Sequence, residues 1–188
     1  MFYIGTAGYS YQDWVGAVYP SGTKKGDMLK LYAREFSFGE INATYYRMPG
    51  RKMIGGMAAK TPPGFRFALK AFQGMTHARD GGPEIFGQFA DAVRPLSESG
   101  RLACVLAQFP YSFHNTQENR DYLKKFRELL PGLPVAVEFR NARWISGSTF
   151  ELLKREQLSF VCVDEPDIRG LIKPLAVVTA RPAYVRFH

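Results

Sequence analysis

The sequence predicts an α/β fold: a TIM-like (β/α) barrel of about seven parallel strands, incomplete, with the eighth strand and the final helices missing. Three observations lead to this. Apolar, nearly unbroken segments of strand length alternate with amphipathic helical ones, the pattern of a parallel sheet covered by helices. Polar residues close these segments: Glu40 and Asn42, Lys70, Gln108, Glu138 and Arg140, Asp164, Arg186 and His188. Barrel active sites are built from residues at the C-terminal ends of several strands. A doubly wound sheet would carry a Gly-rich phosphate fingerprint after its first strand, but Gly5, Gly8 and Gly16 lack that spacing and an aromatic loop follows instead.

The elements follow in order. Phe2–Gly8 reads as a first strand, short and apolar, ending in small residues. Tyr9–Pro20 is a loop holding Tyr9, Tyr11, Trp14 and Tyr19; aromatics so placed pack over something, as a lid on a site or as a plug on the core. Helical spacing of Met28, Leu31, Tyr32 and Phe36 marks a helix over Asp27–Phe36. Phe38–Tyr46 is the second strand, with Glu40, Asn42 and Thr44 on one face. A short helix, Arg51–Lys60, is broken by Pro62-Pro63-Gly64, and Phe65–Lys70 is the third strand.

Pro83 opens a helix reaching about Leu96. Leu102–Pro110 is an apolar strand, and Asn115 with Glu118 resembles a capping box for the helix that buries Tyr122, Leu123, Phe126, Leu129 and Leu130. Val135–Phe139 is the fifth strand. Glu138 and Arg140, two residues apart, point to the same side of it, either as a structural ion pair or as part of a site. A helix over Ser148–Gln157 precedes the sixth strand, Ser159–Asp164. Gly170–Leu175 is irregular, 176–179 is short and apolar, and Tyr184–His188 is the last strand, with Arg186 and His188 on one side.

At 188 residues, a single domain spanning 1–188 is expected. Complete barrels take roughly 250 residues, so the domain reads as a truncated barrel with unpaired edge strands. The chain is 46% hydrophobic and 22% charged, as in soluble globular proteins. No apolar run approaches the ~18 residues of a membrane span, and no secretory leader is visible, so the cytoplasm is the expected location and no membrane partner is expected. Cys104 and Cys162 sit in apolar segments and read as core. The net charge of +8 favours anionic partners, although the basic residues are dispersed.

Several segments resemble the YecE-like family, known as domain of unknown function 72. They are Gly5–Pro20, Glu40–Tyr46, Thr61–Lys70 with Thr76-His77, Gln108-Phe109-Pro110, Val137–Arg140 with Trp144, and Tyr184–His188. They span the chain in the family's order. The resemblance implies a TIM-like barrel without a settled biochemical role. Met57 stands where the family usually has a tryptophan. The family continues past its Arg-x-His strand with a glycine, a further helix and an eighth strand.

If the strand ends face one cavity, Glu40, Lys70, Glu138, Asp164 and His188 are the candidate catalytic groups. Asn42, Tyr46, Gln108, Arg140, Trp144 and Arg186 are the candidate substrate-binding ones. Lys70, Arg140 and Arg186 suit a phosphate or carboxylate; the carboxylates and His188 suit acid–base work or metal ligation. His77 reads as a local hydrogen-bonding residue. The expectation is an enzyme acting on an anionic, phosphate-containing substrate, with metal-assisted phosphodiester or sugar-phosphate chemistry suggested by fold-level analogy to endonuclease IV and xylose isomerase. The alternatives are a binder of nucleic acid or an anionic metabolite, with Tyr9, Tyr11, Trp14, Tyr45, Tyr46 and Trp144 as stacking surfaces, and a purely structural ion network. The sequence names no cofactor, decides neither for nor against a metal, and does not give the oligomeric state.

Overall fold

Among the described residues, six apolar segments pair side by side in the order in which they occur along the chain. The computed structural model describes residues 1–166, 168 and 170–188. Its strands are β1 (Phe38–Ile41), β2 (Arg66–Lys70), β3 (Leu102–Gln108), β4 (Val135–Glu138), β5 (Leu158–Asp164) and β6 (Tyr184–Phe187). All neighbouring pairs are parallel and the order is β1-β2-β3-β4-β5-β6. Between them lie helices α1 (Met28–Glu35), α2 (Ala43–Tyr46), α3 (Arg51–Ala59), α4 (Gln73–Thr76), α5 (Gly82–Glu98), α6 (Gln117–Glu128) and α7 (Gly147–Arg155). Parallel neighbours require a crossover each time, which is why helices and strands alternate.

The sheet is curled, because its first and last strands touch. Tyr184 on β6 donates its hydroxyl to Glu40 on β1 at 2.6 Å, and its ring meets Phe38 edge-on at 5.8 Å. The described fold is therefore an α/β sheet of six parallel strands in a curled half-barrel, rather than the seven strands that sequence reasoning predicts.

The missing strand is the first. Residues 2–8 contribute one parallel bridge, Ala7 to Glu40, held by Gly8 N–H to Glu40 O (2.9 Å) and Glu40 N–H to Thr6 O (3.0 Å). The next rung would join Thr6 N–H to Phe38 O, but the Tyr32 hydroxyl stands between them. It accepts from Thr6 N–H at 2.7 Å and donates to Phe38 O at 2.9 Å. Gly5 lies so close to β1 that a Cβ would fall 1.9 Å from Phe38 O. Phe2 and Ile4 remain exposed, so no packing extends the ladder further.

Three other sequence expectations change. Phe38–Tyr46 is not one strand: Asn42 turns into the right-handed helical region and α2 follows. Thr44 fastens that turn by donating to Ile41 O (3.0 Å) and Lys70 O (2.6 Å), so Glu40, Asn42 and Thr44 do not share a strand face. The N-cap of α6 is Thr116, whose hydroxyl accepts from Asn119 N–H at 3.3 Å; Asn115 instead accepts from Arg120 and donates to Arg143 O. Residues 176–179 form no strand. There Thr179 stands in for a ladder rung, accepting from Phe160 N–H (2.7 Å) and donating to Leu158 O (2.6 Å).

Packing explains the aromatic loop. Trp14 and Tyr9 lie against Tyr32 at 6.5 and 5.9 Å, and the buried Tyr19 donates to Tyr9 O. The loop plugs the core beside α1. No helix among the described residues is long and apolar enough to cross a membrane.

Replacing Tyr32 by Phe leaves the Thr6 N–H and Phe38 O unbridged. The expected cost is about 1–3 kcal/mol, with faster amide exchange at Thr6 and Gly8. Unchanged stability together with unchanged exchange would contradict the bridging role.

Candidate functional site

The strand register identifies which side chains share the inner face. Glu40 pairs with Ala68, and Ala68 with Cys104. Lys70, two residues beyond Ala68, pairs with Leu106; Leu106 pairs with Ala136, and Gln108 with Glu138. Ala136 pairs with Ser159, Val161 with Tyr184, and Val163 with Arg186. With side chains alternating at every residue, one face carries Glu40, Lys70, Gln108, Glu138, Tyr184, Arg186 and, one step further, His188. The charged residues lie at the C-terminal ends, while small and apolar residues fill the layers below.

The centre of this face is Arg186. Its Nε and Nη2 each donate to Glu40 at 2.9 Å, a bidentate pair, and its Nη1 donates to Glu138 Oε2. Tyr184 adds a third donor to Glu40. Arg140 lies on the other side of Glu138, with Nε 3.1 Å from Oε1, and its Nη1 donates to Glu165 Oε2 at 2.8 Å. The second oxygen of Glu165 accepts from Ile172 N–H at 3.2 Å. Glu138 is fully buried, yet its Oε1 accepts no hydrogen bond from the described residues; it lies 3.1 Å from Arg140 Nε and 3.8 Å from His188 Nε2.

The ionisation behaviour follows from this crowding. Although burial opposes it, the charged form of Arg186 is favoured because Glu138 and Glu40 lie against it, and its pKa is raised. Tyr184 is raised by burial and by the adjacent Glu40 charge. His188 is lowered, mainly by burial, with Arg186 and Arg140 adding to the effect. Its Nε2 sits 3.3 Å from Arg186 Nη1 and 3.8 Å from Glu138 Oε1. The nearer contact fits a neutral ring accepting from the guanidinium, so we assign His188 as neutral.

Lys70 differs from the two arginines. It is half-buried with its ammonium 4.7 Å from the centre of the Tyr45 ring, and among the described residues it forms no ion pair. Its pKa is lowered, first by burial and then by Arg186 and Arg140, outweighing Glu138 and Glu40. The carboxylates that could compensate it are committed to guanidinium groups.

The other candidates scatter. Asp164 pairs in register with Phe187 and is exposed on the outer face; Glu165, on the Val161–Val163 face, joins the network instead. Alternation along β5 would have distinguished the two. Trp144 is fully buried between Phe139 (4.3 Å) and Phe113 (5.3 Å), donating to Phe113 O, so it belongs to the core. Tyr46 is exposed and meets Tyr45 edge-on at 5.0 Å. Asn42 is half-buried at the end of β1, and its buried Oδ1 has no hydrogen-bond partner. Gln108 is half-buried at the end of β3. His77 packs on Tyr45 at 4.9 Å and contacts the Thr76 hydroxyl at 3.0 Å, a local role as expected. Sequence reasoning did not single out Tyr184 or Glu165.

Among the described residues, no group of three or more His, Cys, Asp or Glu could hold a metal ion. Two clefts, of about 460 and 640 Å3, run along 21–34 and 142–175, and neither is lined by the charged inner face. Cleft size alone is the usual default for locating a site, but here convergent charge on a shared strand face is the stronger guide.

The profile of the family described as "Protein of unknown function DUF72" matches residues 3–188. The chain belongs to the DUF72 family. This is the YecE-like family that the strand-end motifs resemble. UPF0759 protein YunF of Bacillus subtilis (strain 168) is 33% identical over 200 residues, covering all of this chain and 70% of that protein. A DUF72 crystal structure from Thermotoga maritima superposes with a TM-score of 0.89 at 39% identity, covering 99% of this chain and 74% of that one. One from Enterococcus faecalis gives 0.88 at 30% identity, covering 100% and 70%. The curled parallel sheet thus superposes on about 70–74% of these solved DUF72 chains.

In this DUF72 chain Glu138→Gln would leave Arg186 and Arg140 short of a counter-charge in a buried setting. Breaking such a network typically costs about 3–5 kcal/mol, to be read as lowered urea and thermal midpoints. An unaltered midpoint would contradict the central position of Glu138.

Proposed function

We propose that this domain is an enzyme that binds and transforms a small anionic, phosphate-bearing molecule at the C-terminal ends of the strands of a TIM-like half-barrel. The observation carrying this reading is Lys70, a half-buried ammonium without a carboxylate partner among the described residues. An ammonium offers three donors, and Lys70 Nζ has only an aromatic face beside it. Leaving a cation in that state is unfavourable unless an anion completes it. Asn42 follows Ile41, the register partner of Leu69, and so ends β1 beside Lys70. Its unpaired Oδ1 would accept from a hydroxyl of the same ligand. Arg140, whose side chain keeps one quarter of its surface exposed, is the second cationic contact. Neutral His188 is the candidate proton acceptor.

A small ligand is favoured over a nucleic-acid strand because most of the aromatics are used for packing. Trp144 is enclosed, Trp14 and Tyr9 lean on Tyr32, and Tyr45 carries Lys70 and His77.

Lys70→Met separates binding from folding. Orthophosphate affinity should fall roughly 10- to 100-fold, as for loss of a charge-assisted hydrogen bond. The thermal midpoint should hold or rise, because an uncompensated half-buried cation is removed. Unchanged phosphate affinity by calorimetry would overturn the reading.

The pH dependence has a definite sign. Lys70 has its folded-state pKa below the ordinary 10.5, so orthophosphate binding should weaken as pH rises through that lowered value, before surface lysines titrate. The same shift means that the unfolded chain binds more protons in this window, so stability rises as pH increases towards 10.5. Calorimetric titrations across the alkaline range check the first expectation and denaturant melts check the second.

A further inference from the structure

We propose that Lys70 is a nucleophile whose ε-amine condenses with the carbonyl carbon of a small anionic aldehyde or ketone, forming an iminium link at the end of β2. This rests on the anionic-substrate reading above and adds to it a substrate class and a covalent step.

The geometry separates Lys70 from the structural lysines. Lys124, half-buried, and Lys154, exposed, are ion-paired to Asp121 and Glu151 at 2.7 and 2.8 Å, and Lys60 donates to Gly26 O at 2.9 Å. Lys70 has no such anchor. Glu40 is held in bidentate fashion by Arg186, and Glu138 lies between Arg186 and Arg140, so neither carboxylate is left to fix the ammonium. The Tyr45 ring supplies an apolar wall that holds the lysine end without taking its proton. Burial and the two arginine charges disfavour the ammonium, and the neutral amine is the form that attacks a carbonyl.

The step balances without any added reagent. The amine nitrogen bonds to the carbonyl carbon, the carbon–oxygen bond breaks, and the oxygen leaves as water. Counted from the ammonium, water carries off two of the three nitrogen protons and the iminium keeps the third, so charge is conserved and nothing is oxidised or reduced. The positive charge therefore stays at the end of β2, where a bound anion can face it.

The test uses the full chain, glyoxylate as the anionic aldehyde and cyanoborohydride to fix any imine as a stable amine, followed by peptide mapping near neutral pH. The expected result is label on the Lys70 peptide ahead of Lys124 and Lys154, suppressed by orthophosphate and lost in Lys70→Arg. Mapping the unmutated chain makes the result independent of how the variant folds. Labelling of Lys70 no faster than that of Lys124 and Lys154 overturns the proposal. If orthophosphate still binds in that case, the anionic-substrate reading stands and only the covalent step falls. If orthophosphate does not bind either, both fall.

Discussion

The structure turns on the guanidinium of Arg186. It grips Glu40 with two nitrogens and Glu138 with the third, and in doing so joins β6 to β1 and β4 across the inside of the sheet. A parallel sheet has no intrinsic reason to close where its ladder runs out. Here a planar, five-donor side chain spans the interior, the geometry for which arginine suits better than lysine. Tyr184 reinforces the grip from the same strand. The curl of the sheet and the location of the charged cluster thus share one cause.

The same clamp sets the electrostatics. Three buried carboxylates, Glu40, Glu138 and Glu165, meet two guanidiniums, and among the described residues Lys70 joins none of these ion pairs. Buried ion networks are weak evidence for stability when compared with apolar packing. Here they sit at the strand ends, above layers of Ala68, Cys104 and Ala136. Arg186 spends all three of its nitrogens on the cluster and serves as a frame. Lys70 keeps its hydrogen-bonding capacity, with the Tyr45 ring beside it.

Local pattern carried much of this into the sequence. Apolar runs gave five of the strands to within a residue or two, and alternation put Arg186 and His188 on one side. It failed where a side chain replaced a backbone rung. The Tyr32 hydroxyl breaks the ladder between Thr6 and Phe38, and Thr44 curls the chain after Ile41. Both are contacts to backbone atoms brought near by the fold, and no propensity or period encodes them. Trp144 misled for a related reason: a tryptophan after a polar strand end looks like a binding-site residue, yet Phe113 and Phe139 enclose it.

The sequence alone determined the kind of architecture and the residue types that close each strand, because period-2 and helical patterns are local and survive without the rest of the chain. Only the tertiary structure decided which charges meet. Arg186 and Glu40 are 146 residues apart, and Tyr184 and Glu40 are 144. It also decided that Lys70 forms no ion pair among the described residues. In sequence Lys70 is one strand-end candidate among several; what sets it apart is that Arg186 on β6 and Arg140 just beyond β4 have already taken the carboxylates.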